Sequence, residues 1–254
     1  SPALVRALGA SIARVHGGFP REKFVRAATR GLDSLELLDR ARHIGRTLAA
    51  HLPPSYEEAI AIVMASLGPE HDGDELTGTG MGPFFYMPHL VLVAEQGLEE
   101  RDFERSMSAQ RELTKRFTAE FSIRRYLERH QKATLARLAE WATDPSEDVR
   151  RLVSEGTRPR LPWAPRLRAF QADPRPVLAL LERLKDDASL YVRRSVANNL
   201  NDIGKDHPDV LVETARRWME KATEERRWII RHALRSAVKR GEAGALHVLG
   251  FGDT

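Results

Sequence analysis

Three groups of side chains in this sequence have the types and spacing to do chemistry. In residues 113–125, Glu120 falls four residues after Arg116 and four before Arg124, on one face if the segment is helical. This grouping is one of the few in the sequence that could carry chemistry. The same spacing also describes an exposed ion-pair ladder, worth only a few tenths of a kcal/mol per pair. A second group runs from Arg150-Arg151 to Trp163, through Arg158-Pro-Arg160-Leu-Pro-Trp163-Ala-Pro165. Three prolines in seven residues restrict the backbone, so Trp163 sits on a stiff connector. There it can pack on a sugar or base, or plug a groove between neighbouring helices. The third group lies in residues 192–205. Val192, Val196, Leu200 and Ile203 make an apolar stripe, while Arg194, Asn198 and Asp202 recur every four residues on another face, with Lys205 just beyond. Asn and Asp are poor helix formers, so that face has either a functional role or a structural one, as a polar ladder between helices.

Other chemistries are excluded by what the sequence lacks. There is no cysteine, hence no disulfide, thiolate nucleophile or Cys-ligated metal. No His-Glu-x-x-His, Gly-x-Ser-x-Gly or Gly-Lys-Ser/Thr motif occurs, and the nine histidines are scattered. Gly78-Thr-Gly-Met-Gly82 has neither a preceding strand nor a following lysine, so it does not read as a phosphate loop. No metal and no organic cofactor is expected.

Helices must position these groups, and the sequence shows how they are arranged. Asp148-Val149-Arg150-Arg151-Leu152-Val153 recurs as Tyr191-Val192-Arg193-Arg194-Ser195-Val196, and a looser copy follows as Arg227-Trp228-Ile229-Ile230-Arg231-His232. Matching Val149, Val192 and Trp228 gives spacings of 43 and 36 residues. A period near 40 in an all-helical pattern is the mark of HEAT-like repeats. Such units bury their apolar faces only by stacking. The expected fold is all-α, a right-handed HEAT-like solenoid with a concave, basic face.

Charge supports that picture. Residues 1–100 hold 9 basic and 13 acidic side chains, residues 101–240 hold 31 and 21, and the last fourteen hold two acids and no base. The excess positive charge on the repeats is mostly arginine, which pairs with phosphate through a planar fork and stacks on bases. Nucleic acid is therefore the first partner to consider. The alternative is a solvated surface laced with intrahelical ion pairs.

In the first hundred residues, Leu4, Leu8, Ile12 and Val15 predict one amphipathic helix ended by Gly17-Gly18, and Pro20 opens the next. Asp33 with Glu36, and Ser55 with Glu58, have capping-box spacing. Gly and Pro break the pattern between residues 68 and 88. A short helix is expected near 89–95 and a long one over 109–129. Asp144-Pro145, Asp173-Pro174, Ser189, His207-Pro208 and Thr223 mark later helix starts. Purely apolar runs such as 59–65 and 90–94 are too short to span a bilayer, and no charged-then-apolar leader precedes the first helix.

Taken together, residues 113–124, 154–167 and 189–202 resemble the bacterial AlkC-type 3-methyladenine DNA glycosylases, HEAT-like relatives of the AlkD family. Asp39-Arg-Ala-Arg-His-Ile44 and Gly82-Pro-Phe-Phe-Tyr-Met-Pro88 extend the likeness towards the start. The resemblance implies excision of N3-methyladenine, with N3-methylcytosine as a further substrate, from double-stranded DNA without extruding the base. It assigns Glu120, Trp163 and Asp202 to catalysis. Arg151, Arg158, Arg160, Arg194, Asn198, Lys205 and Arg231 are the expected DNA contacts. It also implies a monomeric, monofunctional base-excision enzyme of the bacterial cytoplasm, acting at the nucleoid. Some relatives carry a C-terminal immunoglobulin-like domain. This chain stops at Thr254, about where that would begin, so one domain over 1–254 is expected, with N-terminal helices over 1–100 and basic repeats over 101–250. The alternatives are a HEAT-like adaptor for an acidic protein and an architectural DNA binder without catalysis.

Overall fold

The computed structural model describes residues 1–70 and 82–251, and every regular element among them is helical. The chain forms two compact units, Ser1–Arg129 and His130–Thr254. The Gly78–Gly82 run falls largely outside the described residues.

The first unit contains α1 (Pro2–Val15), α2 (Arg21–Thr29), α3 (Leu37–His51), α4 (Tyr56–Ala65), α5 (Met87–Gln96), α6 (Phe103–Thr114) and α7 (Ile123–Arg129). Val5, Leu8 and Ile12 of α1 are buried, whereas Val15, expected on the same inward stripe, is exposed at the helix end. Ser55 caps α4 as expected, its hydroxyl accepting from the Glu58 amide at 3.5 Å. The Asp33–Glu36 box does not form. Gly31 takes a left-handed conformation at φ 69°, a short 3-10 turn spans Leu32–Ser34, and α3 starts only at Leu37. Arg40 reaches back to the carbonyls of Leu35 (2.6 Å) and Asp33 (3.2 Å), which stabilises the turn in place of a capping box. The aromatic run before α5 has a packing role: the Phe85 and Tyr86 rings lie 5.5 and 5.3 Å from the His89 ring. Burial pushes the His89 pKa down to about 4, so the imidazole is neutral in the core.

The long helix expected over 109–129 is broken. α6 stops at Thr114, and the chain turns through residues 115–122 before α7. Side chains stitch the break: the Ala119 amide donates to Thr114 Oγ1 (3.3 Å), and Ser122 Oγ donates to Gln110 Oε1 (2.8 Å). Thr and Ser hydroxyls compete for backbone partners in this way, giving the chain an alternative to helical bonding. Glu120 is therefore on a turn. Arg116 donates to the carbonyls of Gly68 and Glu112, each at 2.7 Å.

The second unit is built of paired helices in two layers. One layer stacks α9 (Glu147–Gly156), α12 (Leu190–Ile203) and α14 (Glu224–Lys239). The other holds α8 (Gln131–Trp141), α11 (Arg175–Leu184) and α13 (Pro208–Met219), with α15 (Ala243–Val248) against α13 and α14. A short α10 (Arg168–Ala172) follows the proline-rich connector. The first two copies of the repeat use the same local bonds. Asp144 Oδ1 accepts from the Ser146 amide at 2.9 Å, and Asp187 Oδ1 from the Ser189 amide at 2.8 Å. Arg150 donates to the carbonyls of Asp144 and Pro145, and Arg193 to those of Asp187 and Ala188. Arg150 also makes a two-pronged bond to the Asp187 carboxylate, at 2.6 and 3.1 Å, joining one repeat to the next. The first arginine of each pair is thus spent on holding the repeat together.

The third copy has a different register from the one read in the sequence. α14 begins at Glu224 behind the Thr223 cap, so Arg226, not Trp228, holds the position equivalent to Val192. Burial agrees: Ile229, Ile230, Ala233 and Leu234 occupy the places of Ser195, Val196, Asn199 and Leu200. The spacing between the second and third copies is therefore 34 residues. Apolar Trp228-Ile229-Ile230 looked like the start of the buried stripe, but only its last two members are inside.

Close packing of α3 on α5 gives a test of this fold. A Cβ on Gly45 would lie 2.7 Å from the Pro88 carbonyl oxygen and 2.8 Å from Val91 Cβ. Alanine normally stabilises a helix interior by about 1 kcal/mol over glycine, yet here overpacking against backbone costs about 1–3 kcal/mol. Gly45→Ala is expected to lower the urea midpoint, and a raised midpoint would show that the two helices do not approach this closely.

Candidate active site

In the first unit, the turn after α6 holds Glu120 half-buried. Thr118 Oγ1 donates to Glu120 Oε2 at 2.8 Å and accepts from the Glu120 amide at 3.3 Å. One threonine thereby fixes both the backbone and the carboxylate of the next residue but one. That turn chemistry holds an anion in one orientation without helical support.

In the second unit, Arg158 is the centre of a buried network at the end of α9. Its Nε donates to Asp202 Oδ2 (2.8 Å) and its Nη1 to Glu155 Oε1 (2.6 Å). Ser195 Oγ donates to Glu155 Oε2 (2.6 Å), and Arg151 approaches Glu155 Oε1 at 3.5 Å. Lys205 Nζ donates to Asp202 Oδ1 (2.8 Å). Three cations and two carboxylates thus span α9 and α12. Both carboxylate groups are nearly closed to solvent, with side-chain exposures of 7% for Glu155 and 2% for Asp202. Burial opposes the charge on Arg158, but Glu155 and Asp202 outweigh it and raise its pKa. Burial also favours protonation of Glu155. Arg151 and Arg158, with the hydrogen bonds from Ser195 and Arg158, reverse that and hold its carboxyl below the usual range.

The structure sorts the remaining sequence candidates. Arg160 makes a two-pronged pair with Asp206 at 2.9 and 2.5 Å, and Gln171 donates to the same carboxylate. Arg151 lies with its guanidinium carbon 5.0 Å from the Tyr191 ring centroid. Asn198 Oδ1 accepts from Arg235 (2.9 Å) and lies 3.2 Å from His232 Nε2. Arg194 and Arg231 are exposed. The face of Arg194, Asn198 and Asp202 runs from solvent inward, since only Asp202 is buried. The other two asparagines of α12 are the polar stitches between repeats. Asn199 donates to the Ser154 carbonyl (2.7 Å) and Asn201 to the Ala233 carbonyl (2.6 Å).

Trp163 does not fill a groove. It is 76% exposed and adopts φ 63°, a left-handed conformation that a large side chain rarely takes. Such strain costs about 1–3 kcal/mol. The connector imposes it: Leu161 and Leu167 are buried on either side, and the Leu167 amide closes the loop onto the Pro159 carbonyl at 3.2 Å. The indole is thus presented to solvent on a strained, anchored loop. No cluster of metal-ligating side chains occurs among the described residues.

Residues 113–237, which include all of these groups, match the family model described as DNA alkylation repair enzyme. The whole chain superimposes on the Pseudomonas fluorescens alkylpurine DNA glycosylase AlkC, solved bound to DNA containing an abasic site analog. The TM-score is 0.88 with 36% sequence identity, over 100% of this chain and 67% of that one. The chain belongs to the AlkC family. A further relative is the Bacillus subtilis (strain 168) protein YhaZ, described as uncharacterized, 40% identical over 217 residues. That match takes in 85% of this chain, which spans 57% of the length of YhaZ.

Within the AlkC-like repeats, Glu155 is a member of the network outside the three groups marked in the sequence. A signal was present: it lies three residues before Arg158 and four after Arg151, so one buried carboxylate can serve two guanidinium groups across a helix turn. Removing its charge leaves the Arg151 and Arg158 guanidinium groups without the anion between them. Glu155→Gln is expected to cost about 3–5 kcal/mol at neutral pH. Because the folded pKa is depressed, this stabilisation is present above the unfolded value of about 4.3 and lost as pH falls through the folded one. Denaturant titrations should therefore show the gap between wild type and variant narrowing on acidification below about pH 4.5. A gap independent of pH would mean that the charge of Glu155 stabilises nothing.

Proposed function

We propose that this protein is a DNA glycosylase that hydrolyses the N-glycosidic bond of cationic alkylated bases, 3-methyladenine foremost and 3-methylcytosine second. The observation that carries the reading is the likeness of the whole chain to a glycosylase held on abasic DNA. The site chemistry suits it. An N3-methylated adenine carries positive charge, so its base leaves as a neutral molecule once the C1′–N9 electron pair moves onto the ring. Positive charge then grows on the sugar, as in glycoside hydrolysis. A water oxygen forms the new bond to C1′ and gives its proton to a carboxylate.

Glu120 takes that role. It is half-buried and oriented by Thr118, so its carboxylate needs little reorganisation as the cation develops. Asp202 acts differently. Both its oxygens already accept from Arg158 and Lys205, so it contributes a fixed negative field and not a base. The exposed Trp163 ring lies against the deoxyribose or lesion, where its π face favours cationic character over neutral adducts. Arg151, Arg194, Lys205 and Arg231 bind backbone phosphates, aided by Asn198. Arg158 and Arg160, already paired with carboxylates, shape that surface and add their field to it. The enzyme works as a monomer on double-stranded DNA in the bacterial cytoplasm and uses water alone as nucleophile.

Glu120→Gln is expected to bind methylated duplex like wild type while its single-turnover release of 3-methyladenine falls by roughly 100-fold or more. Excision at the wild-type rate would remove Glu120 from the mechanism. Arg151→Ala is expected to weaken duplex binding and to reduce the log–log salt slope by about one. An unchanged slope would take Arg151 off the phosphate backbone.

A further inference from the structure

Aligning helix starts places Arg151, Arg194 and Trp228 at equivalent positions of α9, α12 and α14. One turn on, Glu155, Asn198 and His232 are equivalent. On this face the third repeat carries an aromatic pair where the earlier two carry an arginine and a hydrogen-bonding acceptor. The Trp228 and His232 rings are stacked, with centroids 5.0 Å apart and planes within 6°. Arg235 braces the pair from one side, donating to the His232 carbonyl (2.5 Å) and to Asn198 Oδ1 (2.9 Å). With Arg235 donating to Asn198 Oδ1, the nearby His232 Nε2 serves as a second donor to the same oxygen. Burial, with Arg235 and Arg194 close by, lowers the His232 pKa, so the stack is neutral in a strongly positive setting.

We propose that this α14 patch, made of Trp228, His232 and Arg235, is a further contact for a nucleic-acid backbone, continuing the surface that begins at Arg151 and Arg194. The inference rests on the DNA-directed reading of the repeats but requires no catalysis. The ligand chemistry follows from the groups present. A phosphate is drawn to the cations Arg194 and Arg235, and the half-buried indole and imidazole offer a flat apolar edge to the adjacent deoxyribose. An acidic peptide would meet the cations equally well but would leave the stacked rings without a matching surface.

The register itself supplies the test, because the two earlier repeats carry arginine where the third has tryptophan. Trp228→Arg should add a phosphate contact, tightening binding to an undamaged 20-base-pair duplex and steepening the log–log salt slope by about one. Trp228→Glu should weaken the same binding at least tenfold and flatten the slope. Both substitutions are at a half-buried surface position, and thermal unfolding of each checks that the fold survives. If neither changes duplex affinity or slope while both fold, the patch does not touch DNA and the proposal falls. Because undamaged duplex is the probe, loss of the glycosylase reading through absent base release leaves this result intact. Conversely, a null result at residue 228 leaves excision by Glu120 untouched.

Discussion

The second unit depends on charge held between repeats. Arg158 leaves α9 and pairs with Asp202 of α12, while Glu155 returns the contact through Ser195. Helical repeats stack through apolar faces that are interchangeable in principle. A buried guanidinium between two carboxylates is not, because a shift of one turn would strand charges away from water. The network therefore selects one register of α9 on α12. It also leaves one more cation than anion, counting Arg151 and Lys205 at its edges, where a phosphate backbone would be attracted.

The two arginines of each pair in the first two repeats have different surroundings. Arg150 and Arg193, first of each pair, bind the carbonyls of the turn that starts their own helix. Their neighbours Arg151 and Arg194 lie on the next face round the helix, where Arg151 reaches Tyr191 and Glu155 and Arg194 is exposed. Counting basic residues overestimates the binding surface for this reason. Part of the positive charge holds the repeats together, and Arg194 is among the arginines that remain exposed.

Trp163 illustrates a complementary constraint. The prolines and the buried leucines on either side force the connector into a conformation that the indole would not choose. Folding tolerates that strain because the flanking packing over-determines it. The result is an indole presented outward from an anchored stretch of backbone.

Much of the helical pattern was legible in the sequence. Apolar periodicity, the Ser55 and Thr223 caps and the repeated Val-Arg-Arg motif each report on local backbone preference, which the chain carries wherever it folds. The break between Thr114 and Ile123 was not legible, since hydroxyls bonding Ala119 and Gln110 defeat an apolar pattern that continues without interruption. Nor was the register of the third repeat, because Trp228 and Ile229 are both apolar and only packing against α12 decides which is buried. The partners of the charged groups belong to the same class. Sequence determined that Arg158, Glu155 and Asp202 are present at helical spacings. That Arg158 binds Asp202, 44 residues away, and not solvent was decided by the stacking of α9 on α12, a long-range contact that no local preference encodes.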